Sequence, residues 1–232
     1  LLVLNITAAI ASSLGIIVVY RHGLHGVHGR SYLFLTLGII SWFAADLTLA
    51  YYYFALGIEQ QILVSVTDVL WFIGYLFLAA NLFTVLRFIR SRIKLKTIIL
   101  TSLVSLLFFT YIALDLFPSS RFLAEGDFTA FVVTVAYPIL DMLLFVPSMI
   151  ILISLRWGDV QSIPRILSSL SLLISAVADE RYVNDFVSGR LHDLLFWNKF
   201  YVTGFILMAG ALFWYYRFHV SPERRKMKIT GY

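Results

Sequence analysis

A chain of 232 residues in which 60% are hydrophobic and only 13% are charged cannot clothe itself in a polar exterior, so a soluble globular domain is excluded and lipid is the expected solvent. The formal net charge of +5 would suggest a polyanionic partner for a soluble protein, but here the cations sit beside apolar runs, as in loops resting on anionic lipid, and no nucleic-acid partner is inferred. The absence of cysteine excludes disulfide frameworks, thiolate metal sites and cysteine nucleophiles.

In chain order, apolar stretches of bilayer-spanning length cover 2–20, 31–57, 62–86, 97–117, 128–155, 164–186 and 193–216. Each must be helical, because hydrocarbon offers backbone groups no water to bond. The expected fold class is therefore all-α, a polytopic bundle of seven transmembrane helices. The first run, Leu2 to Tyr20, lacks the basic flank of a signal peptide and is read as the first span. The following "RHGLHGVHGR" spaces His22, His25 and His28 by three, which on one helix could gather a metal. Its glycines oppose that helix, so a turn lying on headgroups is expected and no metal site.

Cations collect in alternate connections: Arg21 and Arg30, then Arg87, Arg90, Arg92, Lys94 and Lys96, then Arg156 and Arg165, then Arg217, Arg224, Arg225, Lys226 and Lys228. The positive-inside rule then puts the N-terminus outside and the C-terminus in the cytoplasm, in a multi-pass cell-membrane protein with 221–232 as a basic cytoplasmic tail. The two halves of the chain also resemble each other. "RSYLFLTLGIISWFAAD" and "DVLWFIGYLFLAANLF" recur as "PRILSSLSLLISAVAD" and "DLLFWNKFYVTGFILMAGALF", matching Asp46 with Asp179 and Asp68 with Asp193. A parallel 3+1+3 repeat within a domain 1–220 is expected: repeat 1 over 1–90, a linker helix at 97–117, and repeat 2 over 128–218.

An unpaired ionisable group inside a bilayer costs at least about 2–3 kcal/mol, so each demands a partner or a role. Asp46 and Asp141 fall near mid-span, while Asp68, Asp179, Glu180 and Lys199 fall in the outer half. A polar cavity open to the outside is expected, walled by aromatics. Asp68, Trp71, Phe72 and Tyr75 share one helical face, as do Asp193, Trp197 and Tyr201. The competing reading makes the acids helix caps and ion-pair partners, and the aromatics an interfacial belt. Pro138 and Pro147 interrupt the fifth span, one turn before and two turns after Asp141, where a kink is expected.

Lys199, in the last span, invites comparison with a retinal Schiff-base lysine, with Asp179, Glu180 or Asp68 as counter-ion. The place four residues earlier is Leu195 rather than an aspartate, and no cofactor is expected apart from that retinal alternative. No catalytic triad, phosphate loop or metal-hydrolase motif occurs, so the chain is not read as an enzyme.

The stretch "GLHGVHGRSYLFLTLGIISWFAADLTLAYYYFALGIE" with "DVLWFIGYLFLAANLF", and the second half from "AYPILDMLLF" to "GALFWYYRF", resemble the N-terminal seven-helix membrane sensor regions of archaeal and bacterial signalling proteins, which precede PAS, histidine-kinase or diguanylate-cyclase modules. The resemblance implies an input unit whose last helix signals to a cytoplasmic module. The leading expectation is a sensor that binds a small ligand, or responds to membrane state, through Asp46, Asp68, Trp71, Tyr75, Asp141, Asp179, Glu180, Asp193, Trp197 and Lys199. A 3+1+3 proton- or cation-coupled transporter and a subunit of a larger membrane complex stand as alternatives.

Overall fold

The computed structural model describes residues 1–57, 65–115, 126–155, 159–160, 162–187 and 194–221. Seven long helices occur among the described residues: α1 Leu2–His22, α2 Gly26–Ala55, α3 Val66–Ile89, α4 Leu95–Asp115, α5 Phe128–Ser154, α6 Ile163–Val187 and α7 Leu194–Tyr215. Six are long and apolar enough to cross a membrane, and the chain is a multi-pass helical membrane protein. The six do not include α6, which carries Arg165, Asp179, Glu180, Arg181 and Asp185.

Helix ends follow local chemistry. α1 stops at Gly23, whose φ of 82° suits a residue without Cβ and whose N–H returns to the Val19 carbonyl at 2.9 Å. α3 starts on a capping box: the Ser65 hydroxyl accepts from the backbone of Thr67, and the Asp68 carboxylate accepts from the Ser65 N–H at 2.7 Å. Asp127 caps α5 by accepting from the Ala130 N–H at 2.9 Å. The histidine-bearing segment is less of a turn than its glycines predict. His22 ends α1 and α2 already begins at Gly26, so only His25 lies between the helices.

The surface is inverted relative to a soluble protein. Leu103, Leu106, Leu107 and Phe109 on α4 are exposed, while Asp46, Asp68, Asp141, Glu180 and Asp185 are buried. Six helices pack in a closed ring, each against the next in the order α1, α2, α3, α5, α6, α7 and back to α1, with α4 outside against α5. Phe108 of α4 stacks on Phe145 of α5 at 4.3 Å, and Arg181 of α6 lies over the Tyr111 ring at 4.7 Å.

Without a hydrophobic drive between helices in lipid, close approach depends on small residues. Gly38 of α2 faces Gly74 of α3, where an added Cβ would stand 3.2 Å from the opposing carbonyl oxygen in either direction. In the other half, Gly204 of α7 faces Ser171 of α6, whose hydroxyl donates to the Gly204 carbonyl at 2.7 Å. At Gly74 a Cβ would also fall 2.2 Å from Cδ1 of Trp42, inside any real contact. Gly74→Ala should therefore cost about 1–3 kcal/mol by overpacking. Gly210→Ala, whose Cβ would meet its nearest neighbour at 3.9 Å, should be near neutral; thermal unfolding of the two variants in detergent checks the contrast.

Candidate functional site

On α3 the i, i+3, i+7 spacing places Asp68, Trp71 and Tyr75 on one face, directed into the ring. Asp68 serves two masters. One oxygen closes the capping box, and the other accepts from the Tyr137 hydroxyl of α5 at 2.5 Å. Trp42 of α2 donates its indole N–H to the Trp71 carbonyl at 3.2 Å and meets Tyr75 edge-on at 5.2 Å. The Trp71 side chain and the Asp46 carboxyl line the same cavity.

These side chains surround a cavity of about 120 Å³ in the half of the bundle where the odd-numbered helices begin and the even-numbered α2 and α6 end. Around the ring, α2 and α6 therefore run opposite to both of their neighbours, while α3 with α5 and α7 with α1 run parallel. The lining residues also pair across the two halves of the chain. A separation of 133 residues relates Leu1 to Thr134, Leu4 to Tyr137, Asp46 to Asp179 and Leu49 to Tyr182. A separation of 130 relates Asp68 to Asn198, Trp71 to Tyr201 and Tyr75 to Phe205. The same 130 relates Gly74 to Gly204, the glycines at the two close approaches. At that separation Asp68 corresponds to Asn198 in the lining, whereas Asp193 lies outside the described residues.

Beneath the cavity lies a four-member network joining α3, α5, α6 and α7. The Tyr75 hydroxyl is 2.6 Å from Oδ1 of Asp141 and 2.5 Å from Oδ2 of Asp179, and the Tyr201 hydroxyl donates to Oδ1 of Asp179 at 2.6 Å. Asp141 is fully buried and its Oδ2 has no partner. Each hydroxyl carries one proton, so two tyrosines supply two of these three bonds. The third needs a proton on a carboxyl. The Asp141 and Asp179 carboxyls share the Tyr75 hydroxyl between them, a closeness that two bare carboxylates would resist. The network thus holds at least one proton beyond those of its hydroxyls.

Of the residues expected at the site, Asp46, Asp68, Trp71, Tyr75 and Asp179 line the cavity, and Asp141 is one hydrogen bond behind it. Glu180 is buried but is not in the lining. Trp197 donates to Asp185 at 2.7 Å instead of facing the cavity. Lys199 is exposed, with its amine 5.4 Å from the Phe196 ring centroid, away from the lining and from the proposed counter-ions of a Schiff base. Asp193 lies outside the described residues. Trp42, Tyr137, Tyr182, Asn198 and Phe205 were not anticipated, although Tyr137, directly before Pro138, sits at the repeat spacing from Leu4. No histidine lines the cavity, and no group of His, Asp or Glu able to hold a metal occurs among the described residues.

No protein-family model, curated protein or solved structure matches the chain. The class defined by fold and composition is that of helical multi-pass membrane proteins.

A proton held between carboxyls has two consequences. Asp141→Asn, whose amide can replace the acid's donor, should stay within about 1 kcal/mol of the parent in thermal stability, whereas Tyr75→Phe, leaving two facing carboxyls without their bridge, should lose about 1–3 kcal/mol. Infrared spectra should show a protonated-carboxyl carbonyl band in the parent that weakens in Asp141→Asn. An unchanged band would contradict the count of protons at this group.

Proposed function

We propose that this chain is a seven-helix membrane sensor, N-terminus outside and C-terminus in the cytoplasm, which binds a small ligand in the cavity between two duplicated three-helix halves. The observation that carries the reading is the pairing of cavity residues at constant separations. Duplicated halves meeting around an axis would line their shared hollow with corresponding positions, and fourteen of the sixteen lining residues fall into such pairs. The α4 helix, outside the ring, takes the place expected of a linker between repeats.

The other end of the last helix suits signal exit. There Tyr215 stacks on Tyr32 of α2 at 3.9 Å and lies 3.2 Å from Nδ1 of His22, before α7 runs on into a five-residue π-helix at Tyr216–Val220. Wider π turns are frequent at functional points of helices. Ligand binding would favour one packing of the two halves over another and so move this end. A second reading, a proton-coupled 3+1+3 transporter, is favoured by the proton-holding network immediately behind the cavity. Flux into proteoliposomes that disappears in Asp46→Asn would select it over sensing.

Orientation and span number are open to direct test because the chain has no cysteine of its own. With a membrane-impermeant maleimide on intact cells, Leu56→Cys should label and Ser91→Cys should label only after lysis. An epitope tag following Tyr232 should also need lysis to be detected. Detection on intact cells would mean that α6 does not cross, giving six spans.

A further inference from the structure

Many of the donors around the cavity are engaged within the protein. The Trp42 indole donates to the Trp71 carbonyl. Tyr75, Tyr137 and Tyr201 place their hydroxyls on Asp141, Asp68 and Asp179, and Thr134 donates to the Ala130 carbonyl at 2.8 Å. An anion would meet the carboxyl groups of Asp46, Asp68 and Asp179. Acceptors and rings remain. Asp46 is 6% exposed and lines the cavity, and a carboxylate has two oxygens with about four acceptor sites. Seven of the sixteen lining residues are aromatic, and no Lys, Arg or His side chain lines the cavity to neutralise Asp46, Asp68 and Asp179. Aromatic walls with negative charge recognise cations that shed their water readily, which small hydrated metal ions do not. A cavity of about 120 Å³ is somewhat smaller than the roughly 150 Å³ hollow that accommodates benzene, so the guest must be a few heavy atoms across.

We infer that the cavity binds a small organic cation, an alkylamine or quaternary ammonium group, with its charge beside Asp46 and its alkyl groups against Trp42, Trp71 and Tyr182. This rests on the ligand-cavity reading above and supplies its ligand class. Asp46 is the principal counter-charge, since Asp68 is engaged by Ser65 and Tyr137 and Asp179 by two tyrosines. Tyr75, in the cavity wall, and Asp141 behind it act as positioning residues for Asp179.

The test is calorimetric titration and thermal unfolding of the full chain in nanodiscs. An N-terminal tag ahead of Leu1 keeps any terminal charge away from the cavity, which Leu1 helps to line. Three solutes are compared at matched ionic strength: tetramethylammonium chloride, its neutral isostere tert-butanol, and sodium acetate. Tetramethylammonium should bind saturably and raise the unfolding temperature, with affinity weakened about tenfold or more in both Asp46→Asn and Trp71→Leu. Two variants are used so that misfolding of one does not decide the matter. Equal stabilisation by tert-butanol and tetramethylammonium would overturn the cation class while leaving a ligand cavity in place. Tetramethylammonium binding undiminished in both folded variants would overturn the site. No response to any solute would overturn the proposal and the ligand-cavity reading together.

Discussion

The structure depends on one constraint, that carboxyl groups placed among apolar helices must find hydrogen-bond donors without water. Tyrosine meets that need here. Tyr75, Tyr137 and Tyr201 reach from α3, α5 and α7 to Asp141, Asp68 and Asp179, so each bond ties two different helices of the ring. A phenol is well suited to the task, since it brings a donor on a large apolar body and adds no charge to be buried. Lysine or arginine partners would have met the same acids at a higher desolvation cost. Because phenols bring no positive charge, whatever negative charge the acids keep stays uncompensated and gives the hollow the sign of its potential.

Glycine settles where those bonds can form. The approach of Gly38 to Gly74 brings α2 and α3 close enough for Trp42 to bond the Trp71 backbone, beside the cavity that Trp71 and Asp46 both line. Across the bundle, the Ser171 hydroxyl on the Gly204 carbonyl sets α6 against α7 and carries Tyr201 to Asp179. In both halves a small-residue contact lies inward of an aromatic residue, which lies inward of an acid. The two differ in that the first half lines the cavity with Trp71 and Asp46 and the second bonds Tyr201 to Asp179, so ring size differs on the two sides of the cavity.

The helices were legible because lipid imposes length and apolarity: the seven expected runs coincide with the seven observed helices to within a few residues at most ends. The largest departure, at α2, arose because Gly26 and Gly29 were read as helix breakers. In the structure Gly29 is where the α2 backbone crowds Gly23 and Leu24, a contact a larger residue would block. At the site, acids were legible and their aromatic partners less so. A buried charge is conspicuous in an apolar sequence, whereas Tyr137 and Tyr182 look like any membrane-helix aromatic until the fold brings them to a carboxylate or a cavity wall. Lys199 and Trp197 show the converse. Lys199, two residues before Tyr201, is turned by the helix to another face and onto Phe196, while Trp197, one turn before Tyr201 on the same face, is drawn to Asp185.

The two ends of the bundle are built on different principles, which bears on how a signal would pass between them. Around the cavity, carboxyls face phenols and indoles. At the far end, Arg165 lies 3.1 Å from Nδ1 of His28 and over the Phe88 ring at 4.6 Å, while Tyr32, Tyr215 and His219 stack beside His22. Between them α2 and α3 are tied by the Ser31 hydroxyl donating to Asn81 at 2.6 Å. α2 thus carries Asp46 at one end and Tyr32 at the other, with Gly38 between them holding it tightly to α3. A helix so clamped moves more readily as a rigid body than by bending, since interdigitated packing shifts between discrete arrangements. In the proposed sensor, a cation drawn toward Asp46 would therefore act on Tyr32 through displacement of α2 as a unit. Tyr32 packs on Tyr215, the last residue of α7 before its helix changes pitch, so the displacement would arrive where the chain leaves the bundle.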